Sequence, residues 1–160
     1  MDTYTIIPMT RKHAYEISKW QYDDIYSFYN RPVADKPTTD ADTPIDNFFV
    51  VCDNNQTLIG HFHFGPEGQI PTIENFDYTR DYLDIGLGLR PELCGQGYGT
   101  QFAALGIEFA RKHYGAKKFR LSVAAFNERA QKVYEKIGFQ KTSEVTNSYF
   151  KNKFYIMALE

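Results

Sequence analysis

Cysteine is nearly absent. Only Cys52 and Cys94 occur, in unrelated contexts and without a CxxC pair, which leaves neither a disulfide framework nor a thiolate zinc site. A basic excess is missing too: 18 Lys and Arg stand against 20 Asp and Glu, for a formal net charge of -2. Nucleic-acid binders usually carry the opposite imbalance, so no nucleic-acid partner is expected. No run approaches the roughly 18 apolar residues of a membrane span. The opening MDTYTIIPMT lacks the basic-then-apolar plan of a secretory signal. No internal repeat or low-complexity tract interrupts the chain. These absences point to a reduced, cytoplasmic protein, one domain over residues 1–160, long enough to bury a proper core. Aromatic residues are abundant instead, with 12 Tyr and 13 Phe contributing to a 16% share that asks for an explanation.

Alternation over residues 3–8 (TYTIIP) predicts a short strand ended by Pro8. A helix follows over about Thr10–Trp20 with Thr10 as N-cap, then a short helix over Asp23–Tyr29. Pro32, Pro37 and Pro44 among Asp and Thr make 31–46 a loop. NFFVVCD (47–53) and TLIGHFHFG (57–65) form a hairpin by composition and spacing. Residues 66–80 read as loop, and YLDIGLGLRP (82–91) as a strand in which Gly86 and Gly88 mark a bulge or a close backbone approach. A long helix follows the glycine-rich CGQGYGT. KFRLSVAA (118–125) is a buried strand, Asn127 caps a helix ending at Gly138, and two strands close the chain. The order β-α-α-β-β-β-α-β-α-β-β describes a mixed α/β (α+β) fold around one sheet of about seven strands, flanked by about four helices.

The densest chemical signal is Cys94-Gly95-Gln96-Gly97-Tyr98-Gly99-Thr100, between a strand and a helix. Alternate glycines clear side chains from the turn, so backbone N–H groups can approach a ligand closely. The adjoining helix N-terminus adds donors and a positive dipole end, which suits phosphate or pyrophosphate. A Walker A loop is excluded, because no Gly-Lys-Ser/Thr ends the turn; a Rossmann fingerprint fails because Thr100 stands where its last glycine belongs. Glycines serving a tight turn alone remain the alternative.

Further on, Asn127, Ala130, Tyr134, Gly138 and Phe139 fall in the pattern N-x-x-A-x-x-x-Y-x-x-x-G-F. Together with the glycine turn this resembles the GNAT superfamily of N-acetyltransferases, whose turn reads Arg/Gln-x-x-Gly-x-Gly/Ala. Gly97 and Gly99 match it, whereas Cys94 stands where Arg or Gln is expected. The resemblance runs from about Asp84 to Phe139, and by strand order over the chain. It implies the GNAT fold with a splayed pair of strands, and acetyl-CoA as co-substrate. The splayed strand would be Ile85–Leu89, its main chain at Leu87 and Leu89 meeting the pantetheine arm. Gly95, Gln96, Gly97, Tyr98, Gly99 and Thr100 would surround the pyrophosphate, and Asn127 would bond the arm or simply cap its helix. Tyr134 matches the family's tyrosine that protonates the leaving thiolate; a packed aromatic with a satisfied hydroxyl is the competing role.

A protonated amine is no nucleophile, so a base must remove a proton before attack. The resemblance proposes Asp84, with Glu92 and Asp81 as competitors and an exposed edge charge as the plain alternative. His61 and His63 share one strand face, but no third ligand follows, so no metal is expected. Tyr22, Asp23 and Tyr26, in a segment rich in aromatics and carboxylates, are expected with Asp84 to bind the acceptor. Aromatic faces beside carboxylates favour a cation, hence an aminoglycoside- or polyamine-like primary amine. A protein or peptide N-terminus, or a non-catalytic acyl-CoA-binding module, remains the alternative. The expected assembly is a monomer or homodimer.

Overall fold

Strand β1 (Thr5–Thr10) runs through Pro8 instead of stopping there. The reason is its place: β1 ends the sheet, and an edge strand tolerates a residue with no N–H to donate. Thr10 then caps helix α1 (Arg11–Ser18) in a capping box with His13, whose Nδ1 accepts the Thr10 N–H at 3.0 Å. The segment expected as a second α-helix is a 3₁₀ turn, Asp24–Tyr29. Asp24 begins it with a left-handed φ of 53°, which breaks the helical run.

The computed structural model describes residues 3–79 and 81–160. Strand β2 (Pro44–Cys52) starts inside the stretch expected as loop, and β3 (Leu58–Phe64) completes the hairpin. Asp53 organises that turn, its Oδ1 accepting the N–H groups of Asn55 and Thr57 at 2.9 Å. There follow β4 (Leu83–Leu89), α2 (Gly99–Tyr114), β5 (Phe119–Ala124), α3 (Glu128–Ile137), β6 (Gln140–Thr146) and β7 (Lys153–Leu159). The sheet order is β1-β2-β3-β4-β5-β7-β6. Pairs β1/β2, β5/β7 and β6/β7 are antiparallel and β4/β5 is parallel, so the sheet is mixed.

Packing divides the chain into two units. The first holds the described residues up to Phe62 with Gly88–Cys94, and the second holds His63–Leu87 with Gly95–Glu160. In the first, Met9, Val50 and Cys52 are buried under Ala14, Ile17, Ile45, Phe48 and Leu58. In the second, α2 buries Phe102, Ala103, Ile107 and Ala110, and Phe64 stacks near Phe109 and Tyr114. Seven of the 13 Phe are therefore core, whereas every Tyr is half-buried or exposed. The loop before β4 lies along the end of β6: Thr72 bridges Asn147, Ile73 N–H donates to Thr146 O, and Glu74 accepts from the Thr146 N–H and hydroxyl.

Candidate functional site

Parallel pairing of β4 with β5 consists of Leu83↔Phe119 and Asp84↔Arg120. Beyond that rung Ile85, Gly86 and Leu87 have no register with β5, so main-chain groups on that side of β4 are open to another partner. This is the splay that the family resemblance implied.

The glycines of β4 answer a steric demand. A Cβ at position 86 would overlap the imidazole of His63, and one at position 88 would overlap that of His61. Each ring of the β3 pair fills the volume that a β4 side chain would need. Burial holds the His63 pKa down at about 4, so the ring is neutral near pH 7. Among the described residues, no group of three or more His, Cys, Asp or Glu is placed to hold a metal ion.

Beyond β4, Pro91–Leu93 make a 3₁₀ turn and the chain enters the glycine turn. Gly95 and Gly97 both adopt left-handed φ, of 70° and 88°. At Gly97 a Cβ would meet nothing within 4 Å, so the turn is an open cradle there. Tyr98 precedes α2 in helical geometry with no side-chain bond capping the helix. The first-turn N–H groups of a helix have no intrahelical acceptors, and here they adjoin the cradle. The donor set suits a phosphate. Arg129 of α3 borders the same turn: a Cβ on Gly95 would lie 3.4 Å from its Nη1. Arg129 was missed in the sequence, where its place in N-E-R-A carries no sign that it faces Gly95.

On α3, Asn127 Oδ1 accepts the Ala130 N–H at 3.1 Å, which makes it an N-cap. Tyr134 is half-buried with its ring edge-on to Phe139, centroids 6.0 Å apart.

The plain alternative for Asp84 does not hold. The residue is 3% exposed, not an edge charge. Its Oδ1 accepts Arg120 Nε–H at 2.6 Å, and its Oδ2 accepts both Arg120 Nη2 and Gln69 Nε2 at 2.9 Å. Three of roughly four carboxylate lone-pair sites are thus occupied. Its competitor Glu92 is exposed beside Arg90.

In the first unit, Tyr22 is an anchor: its hydroxyl donates to Leu89 O at 2.8 Å, and its N–H donates to Asn30 Oδ1 at 2.6 Å. Burial first, then Cys94 and Glu92, push the phenol pKa well above its ordinary value. Leu89 O also receives Cys94 Sγ at 3.6 Å, so that carbonyl is largely committed within the chain. Arg90 lies over the Trp20 ring at 5.6 Å. Asp23 and Asp24 are exposed, with Tyr26 half-buried beside them.

A family model described as "Acetyltransferase (GNAT) family" matches residues 12–139. An uncharacterized N-acetyltransferase of Bacillus subtilis (strain 168), YycN, is 29% identical over 146 residues, covering 89% of this chain and 86% of that protein. Among solved structures, a chimera of spermidine N-acetyltransferase SpeG from Vibrio cholerae and hSSAT superposes with a TM-score of 0.71. It is 16% identical, with 98% of this chain and 94% of that one covered. A dodecameric structure of spermidine N-acetyltransferase from Vibrio cholerae gives a TM-score of 0.56 at 21% identity, covering 70% of this chain and 63% of that one. At these identities the structural likeness speaks for the fold.

Proposed function

The chain belongs to the acetyltransferase (GNAT) family, and on that premise we propose that its acceptor is a cationic, polyamine-like primary amine. The enzyme is an acetyl-CoA-dependent N-acetyltransferase. Acetyl-CoA brings an activated acyl group; this chain's residues bind it, orient it and move protons. Main-chain groups of Leu87, on the open side of β4, would receive the pantetheine arm, and Leu89 less so because its carbonyl is already engaged. Gly95, Gln96, Gly97, Tyr98, Gly99 and Thr100 would hold the pyrophosphate through backbone donors. Arg129 would add the cation that position 94 lacks. Asn127 uses its side-chain oxygen in the cap, so its NH₂ would make any contact with the arm. The Tyr134 hydroxyl would protonate the departing thiolate.

The observation that carries the acceptor reading is the exposed Asp23–Asp24 pair beside Tyr26. Carboxylates next to an aromatic face attract a cation by Coulomb focusing and cation–π contact. The spermidine acetyltransferase among the structural relatives supports the same class. Arg90 lies over the nearby Trp20 ring, and Tyr22 contributes by anchoring the segment. The test is acetyl-CoA turnover, read as thiol release, across polyamines, aminoglycosides, peptide N-termini, acidic amino acids and neutral amines. Preference for polyamines, weakened by salt and by Asp23→Asn through a raised KM, is expected. Preference for a neutral or acidic amine overturns the acceptor class, and absence of turnover with every amine favours a binding module.

A further inference from the structure

Asp84 and Arg120 form the last rung before β4 and β5 part. Their side chains are 4% and 5% exposed, an ion pair closed inside the protein. The guanidinium is enclosed: Tyr78, Tyr82 and Phe76 rings lie 5.0, 5.2 and 5.7 Å from its carbon, and Nη2 also donates to Thr79 O at 3.0 Å. From the other end of the same loop, Gln69 donates to Asp84 Oδ2. Gly68 lies so close to β4 that a Cβ on it would sit 2.9 Å from the Asp84 carbonyl carbon. Residues 68–79 and 81–82 thus strap the vertex of the splay, and the ion pair ties strap to strands.

We infer that Arg120 and Asp84 are positioning residues: the pair fixes the angle at which β4 leaves β5, and with it the orientation of the Ile85–Leu87 main chain toward acetyl-CoA. A buried ion pair is a weak source of stability, because an apolar pair of similar volume commonly does as well. Its distinctive property is direction. The planar guanidinium fork grips both carboxylate oxygens in one geometry, and the rung it locks is the last before the open segment. The inference rests on the reading that the coenzyme meets β4 there. Neither residue need touch the coenzyme.

The test uses Arg120→Lys, which keeps charge and most bulk but loses the fork, and Gln69→Leu, which leaves the ion pair intact. Two quantities are read on the full chain: amide hydrogen exchange at Ile85–Leu87 without ligand, and the acetyl-CoA dissociation constant well below each variant's melting temperature. Arg120→Lys should speed exchange at those amides relative to α2 and β7, and weaken acetyl-CoA about tenfold, as expected when a bidentate charged bond becomes a single one. Gln69→Leu should move both in the same direction by less. Parental exchange at Ile85–Leu87 in both variants overturns the inference, as does a lowered melting temperature with parental acetyl-CoA affinity. Should Arg120→Lys fail to fold, Gln69→Leu decides alone by the same two readouts. If the parent itself does not bind acetyl-CoA, the functional reading falls, while exchange in the ligand-free protein still decides the positioning role.

Discussion

His63 occupies the space above Gly86, so residue 86 has no room for a side chain while the imidazole stays where it is. Gly88 stands in the same relation to His61. Gly86→Ala is therefore expected to destabilise by about 1–3 kcal/mol, the usual cost of overpacking. Urea unfolding measures it. The double variant Gly86→Ala with His63→Ala should recover part of the loss, with a coupling of roughly 0.5–3 kcal/mol. Additive losses would place the strain elsewhere.

Stability should fall with acid. The unfolded chain protonates His63 near 6.5, whereas burial delays this to about 4 in the folded protein. The contribution is complete above pH 6.5 and is lost as pH drops from 6.5 toward 4, up to about 3 kcal/mol from this ring. His13 acts in the same direction. Its pKa is lowered chiefly by burial, then by Lys12 against Asp42, and a proton on Nδ1 would end its bond from the Thr10 N–H. Unfolding free energies at pH 7 and pH 5 should differ in the parent and differ by less in His63→Gln, where His13 still contributes. An unchanged slope in that variant assigns the acid sensitivity to other groups.

Saturating acetyl-CoA should raise the melting temperature, since a ligand at 100 times its dissociation constant adds about 2.7 kcal/mol. Gly97→Val puts a branched side chain at a φ of 88° in the mouth of the cradle. It should abolish the ligand-induced shift, and its own ligand-free melting temperature separates backbone strain from blocked binding. A shift of parental size in Gly97→Val would remove the pyrophosphate from this turn.

Tyr134→Phe should keep acetyl-CoA affinity and lower turnover by roughly 10²-fold, a typical general-acid contribution. Single-turnover thiol release is the measurement, because slow product release would mask the loss at steady state. A parental single-turnover rate leaves Tyr134 as the half-buried partner of Phe139.

Local rules carried the sequence far where local forces decide. Thr10 and Asn127 cap helices because their side chains reach only three residues ahead, and the hairpin at Asp53 is likewise local. The splay came from the family resemblance, and Gly86 and Gly88 marked a close approach; the rings they accommodate were not legible, since His61 and His63 meet them across strands. The burial of Asp84 was not legible, because its partner Arg120 is 36 residues away and nothing local marks a buried ion pair. The turn at Asp24 escaped notice because a left-handed Asp leaves no compositional trace. The bond from the Tyr22 hydroxyl to Leu89 O escaped the sequence because the two residues stand 67 positions apart.

The outer side of β6 bears on how copies of this protein behave when crowded. A terminal strand with free N–H and C=O groups is a template on which another chain can add itself and start a growing stack. Here the end of that template is taken by the chain's own 71–74 segment, through Thr72, Ile73 and Glu74. Further along, the register slips between Lys141 and Ser143, and Lys141 pairs with Glu144 at 2.6 Å. An incoming strand would meet an irregular ladder, charged side chains and a rung already filled, so edge-to-edge aggregation is disfavoured at the margin where the sheet runs out.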